Sequence, residues 1–339
     1  MLKIDGSFGE GGGQIIRTAL ALSCITSMPV KIRKIRAGRD RPGLRPQHVA
    51  CVEAAAALCD AEVTGAEVGS DKLTFRPSRS VQSGGYQFDI GTAGAASLVM
   101  QTVLLPLVLT PGNSTVYVTG GTHVPFSPSG HYLRDVYAPM LVQSGADVLI
   151  QLVQYGWYPE GGGALMAQIR GQENLSAQML VERGELERIF GVGLASNLPI
   201  HIPQRLAMRA EKQLSVLNAP IDIRPEKAKG RSTGAGVFLT AEYSNGRGGF
   251  SAIGEKGVSS EIVGDMAAEA MLRFHKTKAA VDPHLADQLL LVLAVANGRS
   301  SFTTPEITPH LETNRWVVQQ FIDRQITIDS KKGLVQIEG

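Results

Sequence analysis

The sequence predicts an α/β or α+β protein with room for about two domains. Two observations carry that reading. Stretches of helical and of strand-like apolar spacing alternate along the 339 residues. Apolar residues make up 43% of the chain and charged residues 19%, which supplies a sizeable core and argues against wholesale disorder.

Taken in order, residues 2–4 form a short strand that runs into Gly6-Ser-Phe-Gly-Glu-Gly-Gly-Gly13. Ile15, Ile16, Ala19, Leu20 and Leu22 then follow helical spacing over 14–25. A strand at 30–35 leads to a loop over 36–47 that contains two prolines. An alanine-rich helix at 48–58 comes next, then strands near 62–68 and 72–76. A comparable succession follows: strand 86–90, helix 93–109, strand 114–118 and helix 132–143. A second glycine-rich segment, Tyr158-Pro-Glu-Gly-Gly-Gly163, opens the next strand, and a third helical pair is expected at 263–274 and 285–296. The repetition lies in element order and not in residue identity, so it suggests an internal repeat without establishing one.

Between about 182 and 254 the texture changes. A strand at 186–194, a charged helix at 203–217 and a strand at 236–242 are punctuated by turns at Lys229-Gly-Arg231 and Asn245-Gly-Arg-Gly-Gly249. This stretch reads as a small α/β module inserted into a larger domain made of residues 1–181 and 255–339.

Several function classes are argued against at this level. No N-terminal stretch has the pattern of a leader, and the longest apolar runs, such as 289–296, are too short to span a bilayer. The three cysteines, Cys24, Cys51 and Cys59, lie on apolar helical stretches without CxxC spacing. That fits small core residues in a reducing compartment, hence the cytoplasm, and neither a disulfide framework nor a zinc site. Net charge is only +2, yet seven of the basic residues fall between Lys31 and Arg45 against one acid, Asp40. Such a segment reads as an anion site or, equally, as a solvated face.

Five segments could carry chemistry. The glycine-rich turn 6–14 lacks the spacing of a P-loop or a dinucleotide fingerprint, and alone it reads as a tight turn. Glu10 inside it would repel an anion unless a divalent metal lay between carboxylate and phosphate. The 36–48 loop holds four arginines on a stiff frame of Pro and Gly, and guanidinium forks match phosphate geometry. Residues 120–128 read as a surface connection, and Asp287 in the 284–288 segment reads as a carboxylate near a helix start. A lone histidine is more often structural than catalytic, and nothing local supplies a Ser-His-Asp arrangement, but His310, exposed just after Pro309, is a candidate nucleophile, since neutral imidazole can attack phosphorus.

Together, the segments Gly9-Glu-Gly-Gly-Gly-Gln14, Arg36-Ala-Gly-Arg39 with Pro42-Gly-Leu44 and Gln47-His48, and Tyr158-Pro-Glu-Gly-Gly-Gly163 resemble the RNA 3′-terminal phosphate cyclase family. So do Gly254-Glu-Lys-Gly257, Leu285-Ala-Asp-Gln288 and His310-Leu-x-Thr-Asn314. The matches run in chain order from the first ten residues to the last thirty.

The resemblance implies a large domain of three βα repeats, each a four-stranded sheet backed by two helices, related to the enolpyruvyl transferases, with a smaller α/β domain inserted before the third. It implies ATP-dependent conversion of an RNA 3′-phosphate to a 2′,3′-cyclic phosphate through AMP carried on a histidine, with Mg²⁺ or Mn²⁺ as cofactor. His310 matches the adenylated histidine, and Glu10 a metal-linked carboxylate. Arg17, Arg36, Arg39 and Gln47 match positions that bind phosphates or support the site. Gln101 and the segment His284, Leu285, Ala286, Asp287, Gln288 match the ATP pocket, with Asp287 also catalytic or metal-linked. Residues 123–128 would wall that pocket. Partners would be ATP and RNA with a 3′-phosphate end, and a homodimer is compatible with the sequence.

Two positions depart from the family pattern: His284 stands where a tyrosine can occur, and His131 where an acid is expected. Two rival readings fit these motifs less well. A non-catalytic RNA-binding or ribosome-assembly relative would lack the histidine, and an enolpyruvyl transferase would need neither the arginine loop nor the His310 motif.

Overall fold

The computed structural model describes all 339 residues. The chain builds four four-stranded sheets, and three of them repeat one connectivity. In the first repeat β1 (Leu2–Asp5), α1 (Gln14–Thr26), β2 (Val30–Arg33), α2 (Pro46–Cys59), β3 (Glu62–Thr64) and β4 (Lys72–Arg76) give the order β1-β2-β4-β3. β1 and β2 run parallel, whereas β4 is antiparallel to both β2 and β3. The first turn of each repeat therefore needs a helical crossover, which α1 supplies.

The second repeat copies this with β5 (Gly85–Asp89), α3 (Ala96–Val108), β6 (Gly112–Gly120), a composite helix, β7 (Asp147–Gln154) and β8 (Gly163–Gly171), ordered β5-β6-β8-β7. The composite helix is α4 (Gly130–Tyr132), a π-helical turn (Leu133–Tyr137) and α5 (Ala138–Gln143). The third repeat opens with β9 (Met179–Leu180), whose parallel partner β14 (Ser300–Thr303) lies some 120 positions later.

Between them stand β10 (Leu186–Ser196), α6 (His201–Leu214), β11 (Ile221–Ala228), β12 (Gly234–Tyr243), β13 (Gly246–Ile253) and α7 (Ser260–His275). The repeat then resumes with α8 (Pro283–Val295), β14, α9 (Pro309–Phe321), β15 (Ile326–Asp329) and β16 (Leu334–Ile337), and closes in the order β9-β14-β16-β15.

One apolar core joins the three repeats, running from Ile4 and Ile15 through Leu104 and Leu165 to Leu289 and Val335. A second core fills the insert, whose sheet is ordered β11-β10-β12-β13. α7, expected to pair with α8, instead gives Val263, Ala267, Met271 and Phe274 to this second core. The second core thus draws on residues from Leu186 to Ala279, beyond the expected limit near 254.

β7, β9, β11, β13, β14, β15 and β16 are strands where the sequence reading placed none. Asn245–Gly249 read as a turn, yet β13 begins at Gly246. The reason is steric. A Cβ on Gly248 would press on the Phe250 and Phe274 rings, and one on Gly249 would collide with the Tyr132 ring. These glycines admit aromatic rings against a strand and do not reverse the chain.

In the first sheet, Ile4, Val30, Ile32, Leu73 and Phe75 point to the core and are buried. By the two-residue period of a strand, Lys3, Lys31, Arg33 and Lys72 occupy the opposite, outward face.

Candidate active site

A cavity of about 1240 Å³ opens where the three repeats and the insert meet. Parallel pairing aims β1 and β2 the same way, so the loops that follow them leave the sheet side by side. Gly9 has φ +57°, and a Cβ there would clash with Thr313 of α9; one on Gly13 would clash with the His48 ring of α2. The glycines let the first loop lie between these two helices. α1 then starts at Gln14, which puts Gln14 and Arg17 on the cavity wall.

α9 approaches from the opposite end of the chain. Thr308 caps it: its hydroxyl accepts from the Leu311 N–H at 3.0 Å and donates to Oδ1 of Asp287 at 2.6 Å. Pro309 follows at the first helical position, so His310 stands in the first turn, facing the cavity with its side chain 45% exposed.

Nδ1 of His310 hydrogen-bonds Oε1 of Gln14 and lies 2.7 Å from Oε2 of Glu10. Two acceptors face this nitrogen, so it carries the ring proton and Nε2 keeps its lone pair. Burial, followed by the charges of Arg17, Arg39 and His284, lowers the imidazole pKa to about 4. The ring is neutral at physiological pH.

Glu10 also pairs with the Arg39 guanidinium through Oε1, while its Oε2 is buried without an aligned hydrogen bond. Arg36, at φ +54°, donates from one guanidinium nitrogen to the carbonyls of Arg41 at 2.7 Å and Gly43 at 2.8 Å. It stiffens the loop that presents Arg39. Burial lowers the pKa of both Arg17 and Arg36, with Arg45 adding repulsion at Arg36. His48 falls to about 3 through burial and then Arg17, Arg36 and Arg45, and its Nδ1 accepts from the Arg45 N–H at 3.0 Å. Three guanidiniums beside neutral imidazoles make this wall a receptor for phosphate-like anions.

The far wall is built on α8. Asp282 caps that helix, accepting from the N–H groups of His284 at 2.9 Å and Leu285 at 3.1 Å. The same carboxylate accepts from the Tyr132 hydroxyl at 2.9 Å and the Gly249 N–H at 3.0 Å. Its side chain is buried, which raises its pKa. Farther along α8, burial lifts Asp287 to about 7; the Thr308 hydrogen bond opposes this, while Asp282 and Glu306 add to it. Asn314 of α9 donates to the Asp287 carbonyl at 2.7 Å and accepts from Thr18 of α1 at 2.7 Å. The amides of Gln101 and Gln288 bond each other across α3 and α8, and Oε1 of Gln47 accepts from the Ala95 N–H at 3.3 Å.

A sequence model described as RNA 3′-terminal phosphate cyclase matches residues 8–328, nearly the whole chain. The chain belongs to the RNA 3′-terminal phosphate cyclase family. A protein of that name from Nostoc punctiforme is 45% identical, over 100% of this chain and 99% of its own. Another, from Archaeoglobus fulgidus, is 42% identical over 99% of this chain and 100% of its own. Among solved structures, the enolpyruvyl transferase NikO from Streptomyces tendae aligns with 99% of this chain and 47% of its own at 9% identity. Its TM-score is 0.41, a likeness too distant to bear on function. Membership makes this chain an enzyme of the ligase type.

Most residues singled out in the sequence converge on the cavity: Glu10, Arg17, Arg36, Arg39 and Gln47 from the first repeat, Gln101 from the second, and His284, Asp287, Gln288 and His310 from the third. Leu285 and Ala286 do not. Both are fully buried in the main core, because a helix turns only positions three and four apart toward one face, here His284, Asp287, Gln288 and Leu291.

Residues 125–128 line the wall as expected, but His123 turns inward and lies 2.8 Å from His131. The second glycine-rich segment packs against Ala93 and Arg231, away from the cavity. Gln14, Tyr132 and Asp282 were missed as site residues. Asp282 had a legible signal, an Asp directly before a Pro that opens an apolar helix.

The raised pKa of Asp287 has a signed effect on stability. The native state holds its proton up to about pH 7 and the unfolded chain releases it near 3.8, so the contribution worsens as pH rises through that window. Asp287→Asn removes the buried charge. Its stability gain over the parent is expected to be about 2–3 kcal/mol larger at pH 8 than at pH 5. Urea unfolding at the two pH values measures it, and a gain that does not change with pH would refute the raised pKa.

Proposed function

We propose that this chain uses ATP to convert an RNA 3′-terminal phosphate into a 2′,3′-cyclic phosphodiester, with His310 carrying AMP between the two substrates. The observation that carries this is the setting of His310: a neutral ring, Nδ1 bonded to Gln14 with Glu10 2.7 Å away, and Nε2 within the field of the Arg17 and Arg39 guanidiniums.

In the first step Nε2 attacks the α-phosphorus of ATP, a P–N bond forms, and pyrophosphate leaves. Arg17, Arg36 and Arg39 oppose the charge on the phosphates and on the leaving group. An oxygen of the RNA 3′-phosphate then displaces His310 from AMP, which gives an RNA-(3′)pp(5′)A end. The 2′-hydroxyl attacks the 3′-phosphorus, AMP departs, and the hydroxyl proton passes to a base. A phosphate monoester lacks a good leaving group until AMP is attached, and the vicinal hydroxyl needs no further positioning. On the far wall, Gln101, His284 and Gln288 offer edges and planes suited to adenine and ribose.

The residues fit a hard divalent cation only in part. Glu10 offers one carboxylate oxygen that has no aligned hydrogen bond, and no group of three or more His, Cys, Asp or Glu side chains gathers as a metal cage. Glu10 would thus hold Mg²⁺ or Mn²⁺ together with ATP oxygens and water, and the cation would neutralise phosphate charge. The three cysteines are free, buried thiols, in keeping with a reducing compartment such as the cytoplasm. No helix is long and apolar enough to cross a membrane.

The test is covalent labelling. Protein incubated with α-labelled ATP and Mg²⁺ or Mn²⁺ is expected to take up label that survives alkali and is lost in acid, as a phosphoramidate is. Absence of label on the intact protein would overturn the proposal.

A further inference from the structure

The cavity accounts for the last nucleotide of an RNA but leaves the rest of the strand without a seat. The outward face of the first sheet supplies one. Register sets its side chains in rows: Lys3 of β1 stands opposite Lys31 of β2, and Arg33 of β2 opposite Lys72 of β4. Like charges placed directly across strands repel each other and destabilise a sheet. Here two such pairs adjoin; Asp5 of β1 also stands opposite Arg33, but its carboxylate is engaged by Ser7 and Lys34, and none of the four cations is within ion-pair distance of an acid. Lys34, by contrast, pairs with Asp5 at 3.0 Å, and the remaining cation of the face, Arg76, has Glu62 opposite it. A face on which cations outnumber acids is one that an external polyanion would relieve of repulsion.

The cluster also leads to the reacting centre. β1 and β2 both run toward the cavity, one into the loop of Glu10 and the other into the loop of Arg36 and Arg39. The row of Lys3 and Lys31 lies two residues, about 7 Å, behind the row of Arg33 and Lys72. In the turn that follows β1, Phe8, whose N–H bonds the Asp5 carbonyl at 3.2 Å, is 41% exposed and stacks on Trp316 of α9 with ring centroids 4.1 Å apart. Basic rows that end beside an exposed aromatic are the combination that holds single-stranded nucleic acid: charge tracks the backbone and a ring face takes a base.

We infer that the outward face of the first sheet, through Lys3, Lys31, Arg33 and Lys72, is the track along which the RNA strand 5′ of the reacting phosphate lies. The inference rests on the reading of the cavity as the receptor for an RNA 3′ end. It adds that affinity grows with RNA length, by contacts that take no part in adenylylation.

The test compares the intact protein with a Lys3→Gln, Lys31→Gln, Arg33→Gln, Lys72→Gln variant. Binding is read by anisotropy, using a 3′-phosphorylated single-stranded 20-mer and a 3′-phosphorylated dinucleotide over a range of salt. The parent is expected to bind the 20-mer more tightly than the dinucleotide. The variant should bind the 20-mer about tenfold or more weakly at low salt, with the slope of log affinity against log salt reduced by up to about 3. Dinucleotide binding and AMP labelling from ATP should be unchanged, and the latter also reports that the variant is folded.

Equal affinity of parent and variant for the 20-mer would overturn the track and leave the face to an acidic protein or to solvent. So would a parent that does not distinguish the two lengths. Because binding is measured without turnover, a protein that loses 20-mer affinity in the variant yet never cyclises RNA would keep the track and refute the cyclase reading instead.

Discussion

His310→Ala is expected to form no AMP adduct and to leave 3′-phosphate RNA uncyclised. In covalent catalysis, removal of the nucleophile costs on the order of 10⁶ in turnover, and a loss of that size here falls below detection. His48, the other imidazole of this wall, is not poised to substitute. His48 commits Nδ1 to the Arg45 N–H and keeps its other ring nitrogen tight against Gly13. The His310 ring is replaced at the surface of a cavity and not in the core, so the fold and its Tm should hold. The mechanism also makes a finer distinction. RNA supplied with a ready-made (3′)pp(5′)A end has already passed the steps that need His310, so the variant should still close it to the cyclic phosphate. Label on the alanine variant at the parent's level would refute the assignment, and failure to close the activated RNA would give the histidine a part in ring closure as well.

Arg39→Ala should lower kcat/KM for cyclisation by about 10² to 10³, the range found when one charge-stabilising donor is removed from a transition state. The side chain is exposed and anchored mainly to Glu10, so thermal unfolding should change little. Arg36→Ala is expected to behave differently. Its guanidinium bonds two carbonyls of its own loop, and truncation leaves them unmet. That variant should lose activity together with thermal stability. Arg39→Lys should recover part of the loss, since charge returns without the planar fork. Normal cyclisation by Arg39→Ala would remove this arginine from the phosphate site.

How much of this was legible depended on where the signal lay. Helices with long apolar runs, such as α1, α3 and α8, were plain; α3 is buried all round except at Gln101, so the length of its apolar run, and not one-sided spacing, marks it. β11 was not: it is the edge strand of its sheet and carries Pro225 among charged residues, and edge strands use such residues against open pairing. β13 was hidden by glycines whose reason is a ring contributed by another element, which no local pattern can report.

The site followed the same logic. Arginines clustered on one loop could be seen in order, whereas the meeting of His310 with Glu10 and Gln14 joins residues about 300 positions apart and comes from α9 docking beside α1. His310 read locally as a lone histidine. Its environment, and not its neighbours in sequence, sets its charge.

Asp282 has a mechanical consequence. Its one carboxylate is bound to the second repeat through Tyr132, to the insert through the Gly249 N–H, and to the third repeat through the start of α8. To swing the insert outward as a rigid body would pull at least one donor away from a buried acceptor, at a cost of about 1–3 kcal/mol for each group left unmet. The cleft therefore has a preset width. A ligand of this cleft would meet a jaw already tied at this point, and ordering that it would otherwise have to impose is done during folding.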